Sequence, residues 1–136
     1  MSNDSVAQDA RIPAYVIVDS EDPERLTPFW CALLGVEVLE NRHEGHYIAL
    51  EPAASLPGSM MLVFQRVPEP KIGKNRVHID MFVDDLDAGT ARVEELGGRW
   101  TEPGTTVEDG RWLSRVMADP EGNEFCICLV HPDVTR

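Results

Sequence analysis

Three landmarks recur in this sequence at one fixed spacing, and that repeat limits what the chain can fold into. Tyr15 and His78 each begin an apolar, β-branched stretch and lie 78 − 15 = 63 residues apart. Asp22 and Asp85, each at an acidic helix start, are separated by 85 − 22 = 63 residues. Gly35 and Gly98, each at a helix stop, are separated by 98 − 35 = 63. Between the landmarks the order of elements is the same in both halves: strand, helix, then three strands. Two copies of a unit whose sheet is incomplete alone must pack together to close a core.

The local signals behind that order are physical. Ala14 to Val18 is apolar and β-branched, as strands are. In Glu21-Asp22-Pro23-Glu24 the aspartate accepts bonds from orphan amides, the proline fits the first helical turn and the glutamate complements the dipole. Leu26, Phe29, Trp30, Leu33 and Leu34 then recur at helical spacing, and Gly35 ends the run. Strands are predicted over Val36–Glu40, His46–Leu50 and Ser59–Val67, with Pro52–Gly58 as a loop. The second half repeats the scheme. A strand over Val77–Val83 leads to a helix from Asp85 to Leu96 with Gly97-Gly98 as the stop, and strands follow over Arg99–Glu102, Arg111–Ala118 and Glu124–Val130. Asp119-Pro-Glu-Gly-Asn joins the last two as a tight turn.

At 136 residues the chain is one domain's worth. The ordered region spans about 12–130: a first module over 12–68, a linker over 68–75 and a second module over 76–130, with tails at 1–11 and 131–136. The net charge is −12. It argues against a nucleic-acid partner, which needs a basic footprint, and is read first as a solvated acidic surface, with attraction of a cationic ligand as the alternative. Lys71, Lys74 and Arg76 form the one basic cluster, read as a solvated linker. There are three cysteines, and Cys126 and Cys128 are two apart on one strand, a poor disulfide geometry. Reduced thiols and a cytoplasmic location follow. The N-terminus lacks a basic region followed by an apolar run, so no signal peptide is expected. No 18-residue apolar run predicts a membrane span. His43-Glu44-Gly45-His46 reads as a turn rather than a helical zinc motif.

Four stretches carry a family resemblance: Asp22-Pro-Glu-Arg-Leu-Thr-Pro-Phe-Trp, Phe64-Gln-Arg-Val-Pro-Glu-Pro-Lys, Asn75-Arg-Val-His-Ile-Asp and Ala118-Asp-Pro-Glu-Gly-Asn-Glu-Phe. Through them the chain resembles the vicinal oxygen chelate superfamily of glyoxalase I, bleomycin-resistance proteins and extradiol dioxygenases. Within it the chain is similar to the glyoxalase-like domain proteins. The resemblance implies an α+β fold of two tandem βαβββ modules forming a cupped, half-open barrel. In metal-using members it implies one ligand from the first strand and one from the fourth strand of each module. Those positions here are Tyr15, either Phe64 or Gln65, His78 and Cys126. His78 is a good ligand for such ions and Gln65 a weak one, whereas tyrosine and cysteine replace the usual imidazole and carboxylate. One firm ligand does not hold a catalytic ion, so no cofactor is expected, with a divalent metal as the alternative.

Strand parity places His78, Asp80 and Phe82 on one face and Ile79, Met81 and Val83 on the other, under the second helix. A histidine and an aspartate two apart on a strand are about 7 Å apart at the backbone and can meet. They are candidate acid–base partners, with Asp80 orienting the imidazole. Tyr15 can donate one hydrogen bond into an apolar pocket. Cys126 is a candidate lining residue, and a nucleophile only with a base beside it. Trp112 is a further lining candidate whose facing the sequence leaves open.

The leading expectation is therefore a metal-independent binder of a small organic molecule, lined by Tyr15, Phe64 or Gln65, His78, Asp80, Phe82, Trp112 and Cys126. A lyase, isomerase or dioxygenase-type enzyme using His78 with a metal or with Asp80 is the second. An interaction protein with a vestigial cup is the third. A homodimer fits all three, because exposed sheet edges are commonly completed by a partner.

Overall fold

The computed structural model describes residues 14–53 and 60–131. The predicted tail 1–11, the residues after 131 and most of the loop 52–58 lie outside that range. The chain divides into two compact units between Pro68 and Glu69. The first is a βαβββ module and the second follows the same scheme with one short strand added, so the expected α+β architecture is present, with two open sheets.

The first module runs β1 (Tyr15–Ser20), α1 (Pro23–Leu34), β2 (Val38–Arg42), β3 (Tyr47–Leu50) and β4 (Met61–Arg66). Its sheet has the order β1-β4-β3-β2, with β1 parallel to β4 and the other pairs antiparallel. α1 starts as its sequence dictates: Asp22 Oδ1 accepts the amide of Arg25 at 3.3 Å, and Pro23 occupies the first turn. Gly35 stops it at φ +70°, a left-handed conformation that suits a residue without a side chain. Leu26, Phe29 and Trp30 form its buried stripe.

Partnered residues on neighbouring strands share a face, and the register sorts the sheet. Tyr15, Ile17, Asp19 and Gln65 lie together and are exposed. The helix therefore covers the opposite face, where Leu62, Phe64 and Ile48 are buried.

The second module runs β5 (Asp80–Phe82), α2 (Leu86–Glu95), β6 (Arg99–Trp100), β7 (Val107–Glu108), β8 (Trp112–Ala118) and β9 (Glu124–Val130). Its order, β5-β9-β8-β6 with β5 parallel to β9, repeats the first sheet. β7 also pairs with β8 and has no counterpart in the first module. Asp85 caps α2 as Asp22 caps α1, accepting the Ala88 amide at 3.0 Å. The stop falls at the expected Gly97-Gly98 pair, with the turn one residue before Gly98. Gly97, at φ +106°, takes the left-handed position, and the Gly98 amide bonds back to the Val93 carbonyl at 2.9 Å. The glycines that turn the chain are thus 97 − 35 = 62 apart, and α2 is 10 residues against 12 for α1.

α2 crosses its sheet closely at Gly89. A β-carbon there would stand 3.3 Å from Ile127 Cδ1 and 3.5 Å from the Val83 methyls. Arg115, the strand partner of Ile127, reaches up to the same helix. It donates to Thr90 Oγ1 at 2.8 Å and to the Leu86 carbonyl at 3.3 Å, and pairs with Asp87 at 2.9 Å. Its guanidinium also lies 4.3 Å from the centroid of the Trp100 ring. Phe125, Met117 and Ile127 are buried in this module. Each such side chain stabilises the fold by about 1.5–3 kcal/mol relative to exposure.

Candidate functional site

The second sheet's face away from α2 carries Asp80 and Phe82 on β5, Cys126 and Cys128 on β9, and Trp112 and Ser114 on β8. The register decides this: Asp80 partners Cys126, Phe82 partners Cys128, Cys128 partners Ser114 and Val130 partners Trp112. The expected parity therefore holds for Asp80, Met81 and Phe82, and the facing of Trp112 is fixed beside Phe82. The two rings meet edge to face, 5.3 Å between centroids at 88°. Phe82 remains 46% exposed. Asp109 holds the start of β8: its Oδ1 accepts the amides of Arg111 at 2.9 Å and Trp112 at 3.0 Å. Those two amides, Trp112 first, hold its carboxyl below the usual range.

His78 stands just before β5 rather than inside a strand. The predicted strand over Val77–Val83 is only three residues long, because β5 is an edge strand and the chain before it is held by side chains. The ladder continues one step further through the Cys126 amide and the Ile79 carbonyl, 2.9 Å apart. Before that, Glu124 takes over. It pairs with Lys71 Nζ at 2.7 Å and accepts the Asn75 amide at 2.7 Å, while Asn75 Nδ2 donates to its carbonyl at 3.3 Å. Lys71 also donates to the Gly73 carbonyl. The predicted linker 68–75 is thus built into the second module from Lys71 onward. Burial raises the Glu124 carboxyl, but Lys71, the Asn75 amide and the charge of Lys74 together outweigh it and hold the group low.

From this anchored segment His78 Nε2 reaches Asp80 Oδ1 at 3.2 Å, with both side chains partly exposed. The carboxylate also meets the Cys126 thiol. Burial, then the negative charge of Asp80 and the hydrogen bond to it, push that thiol up. A preformed nucleophilic thiolate is therefore absent at neutral pH, whatever base His78 offers. Imidazole, carboxylate and sulfur lie within 4.8 Å of one another, the one such cluster among the described residues. The sequence paired His78 with Asp80 but counted Cys126 as a lost ligand. Only the pairing of β5 with β9 brings the three together.

The first-module candidates fall differently. Phe64 is fully buried under α1 and cannot line an open face, which corrects its assignment. Gln65 is exposed beside Asp19 and Tyr47, its strand partners. Tyr15 is 54% exposed on the same face. Neither Phe64 nor Gln65 is the counterpart of Cys126. The pairs Ile17–Val63 and Asp80–Cys126 are equivalent, since 80 − 17 = 63 and 126 − 63 = 63, so the counterpart is Val63, buried and without a donor. The weak ligand assigned to Gln65 is thereby displaced, and the four-position ligand set implied by resemblance does not fit these residues.

Residues 15–128 match the glyoxalase-like domain family. The chain belongs to that family. Solved structures agree on the fold. A glyoxalase/bleomycin resistance protein/dioxygenase family enzyme from Burkholderia phytofirmans PsJN superposes with a TM-score of 0.70 at 18% identity, covering 87% of this chain and 98% of that one. A glyoxalase/bleomycin resistance protein from Albidiferax ferrireducens T118 gives 0.63 at 19%, covering 87% and 98%. A glyoxalase/bleomycin resistance protein/dioxygenase from Nocardioides gives 0.64 at 14%, covering 98% and 95%. No curated protein matches the sequence. At these identities the likeness is one of fold, and the chemistry must be read from this glyoxalase-like domain's own residues. No helix among the described residues is long and apolar enough to cross a membrane.

Proposed function

We propose that this glyoxalase-like domain binds a small organic molecule on the second sheet's face away from α2, through its own side chains and without needing a metal. The observation that carries the reading is the Phe82–Trp112 ring pair, with Phe82 half-exposed, beside the His78–Asp80 pair. An apolar platform with a few convergent polar groups is the common make-up of a ligand site. A planar or aromatic body would seat on the rings. A cationic or hydrogen-bond-donating group would meet the Asp80 carboxylate, and the net charge of −12 attracts such ligands from solution.

A second reading is favoured by one distance. With Nε2 held 3.2 Å from Asp80, His78 has the orientation of a general base steadied by a carboxylate, leaving Nδ1 to take a proton. In that reading the bound molecule is the substrate of a lyase, isomerase or dioxygenase-type step.

The test is a fluorescence titration of chelator-treated protein against a panel of planar aromatic compounds, cationic, neutral and anionic. Binding should quench tryptophan emission for cationic or donor-bearing members, and the quench should be lost in Trp112→Phe. Phe82→Ala should weaken binding about tenfold or more. Asp80→Asn should erase the preference for cations. No saturable signal with any member, or full affinity in Phe82→Ala, contradicts the reading. Turnover of a bound compound that His78→Ala abolishes favours the enzyme over the binder.

A further inference from the structure

We infer that the first module binds a small monocarboxylate in a cleft at one end of its sheet, with Arg66 and His46 as the anchoring side chains. The organic-ligand face belongs to the second module, and the inference does not rest on it.

The strand ends build the cleft. Arg66 closes β4, two positions after the buried Phe64, and so lies on the face that α1 covers. The β3–β4 register pairs Tyr47 with Gln65, and one step further the Arg66 amide donates to the His46 carbonyl at 2.8 Å. His46 therefore stands opposite Arg66, and the two continue the buried pair Ile48–Phe64 past the end of the core. The Val67 amide donates to the Ser20 carbonyl at 2.9 Å, which ties the end of β4 to the end of β1. The cavity at this corner has a volume of about 360 Å³ and is lined by Glu21, His46, Arg66, Val67 and Pro68. Small-molecule sites run from roughly 300 to 1,000 Å³. The turn before His46 is held against α1. Asn41 Oδ1 accepts the Gly45 amide at 3.0 Å, and a β-carbon at Gly45 would overlap the Glu24 carboxylate.

The donors select the guest. A guanidinium carries five N–H groups in a planar fork. Arg66 Nη1 donates to the Glu21 carbonyl at 2.7 Å, which fixes the group in the cleft. Asp22 Oδ1 lies 3.6 Å from Nη2, beyond hydrogen-bond length, and accepts the Arg25 amide instead. Among the described residues the rest of the fork makes no hydrogen bond, and a carboxylate can meet it with two parallel bonds. Glu21 in the lining and Asp22 beside it repel a second negative charge, so a monocarboxylate is favoured over a phosphate dianion. Val67 and Pro68 offer an apolar wall to a short aliphatic or aryl body.

The experiment is an NMR titration of 15N-labelled protein at constant ionic strength with isobutyrate, benzoate, isobutyramide and inorganic phosphate. Both carboxylates should give saturable shifts at the Arg66 Nε–H and at the amides of His46, Arg66 and Val67. Isobutyramide and phosphate should bind at least about tenfold more weakly. Arg66→Lys keeps the charge but not the fork and should weaken isobutyrate at least about fivefold, and His46→Ala about threefold. Unshifted amides away from the cleft show that each variant is folded. The comparison of carboxylate with amide is made on the parent protein and stands whatever a variant does to folding. No saturable shift, equal binding of isobutyramide, tighter binding of phosphate, or unchanged affinity in Arg66→Lys overturns the site. Neither variant alters the second module, so this site and the organic-ligand face can fail separately.

Discussion

Cys128 shows how strongly this sheet face acts on a single group. It is fully buried, and burial, with the charges of Asp80, Cys126 and Asp109, pushes its thiol up to about 12. Cys126 and Cys31 are pushed up as well, Cys31 by burial and then by Glu37 and Glu51. The folded state thus favours the neutral thiol. That preference stabilises fully below the ordinary thiol range, near 9, and is lost as pH rises toward about 12. Denaturant midpoints should fall between those values, and Cys128→Ala should flatten the fall. At neutral pH, iodoacetamide should label Cys128 only upon unfolding, which mass spectrometry of the digested protein reads out. The candidate residues were unevenly legible. Asp80 and Phe82 are two apart on one strand, and alternation along the chain was enough to place them on one face, whereas His78 lies before the strand and joins them through its contact with Asp80. Phe64 and Gln65 are one residue apart, and a slip of one exchanges core for surface. Only the pairing of β4 with β1 decides between them.

Among the elements, two contacts hold the second module's face in position. Glu124 sits at the first position of β9 and ties down the segment before His78. Its lowered carboxyl stabilises the fold above the ordinary glutamate range, and this contribution is lost as pH falls through the folded value. Glu124→Gln keeps the shape but removes the charge. It should cost about 1 kcal/mol and speed amide exchange over residues 71–79 at neutral pH. Exchange unchanged in that segment would show that the clamp is not what orders it. On the other face, Arg115 ties β8 to α2 through Thr90, Leu86, Asp87 and the Trp100 ring. Arg115→Ala should lower stability by about 2–3 kcal/mol, and Arg115→Lys should recover only part of it, because lysine lacks the planar fork. A full recovery in thermal denaturation would refute the role of the fork. Capped helices and β9 were legible because their signals are local. β7 was missed because two residues between turns carry no periodicity, and β5 was overextended because its end is set by Glu124, distant in sequence.

Over the whole molecule, the repeat was the most informative feature of the chain. Asp22 and Asp85 cap equivalent helices, and both modules have the same strand order and the same parallel pair. The two copies have diverged where chemistry matters. At the position where the second module has Cys126 the first has Val63, and where the second has Asp80 the first has Ile17. A donor cluster therefore exists in one copy, and at these equivalent positions the other has apolar side chains. The family was legible because local motifs run through both copies. The donor cluster was not, because it depends on pairing two strands more than forty residues apart. The most direct test of ligand binding at this face is an amide and indole NMR titration of chelator-treated protein with a planar aromatic cation. Saturable shifts confined to Phe82, the Trp112 indole and the residues around His78, Asp80 and Cys126 are expected. Shifts that map elsewhere, or none at saturating ligand, would contradict it.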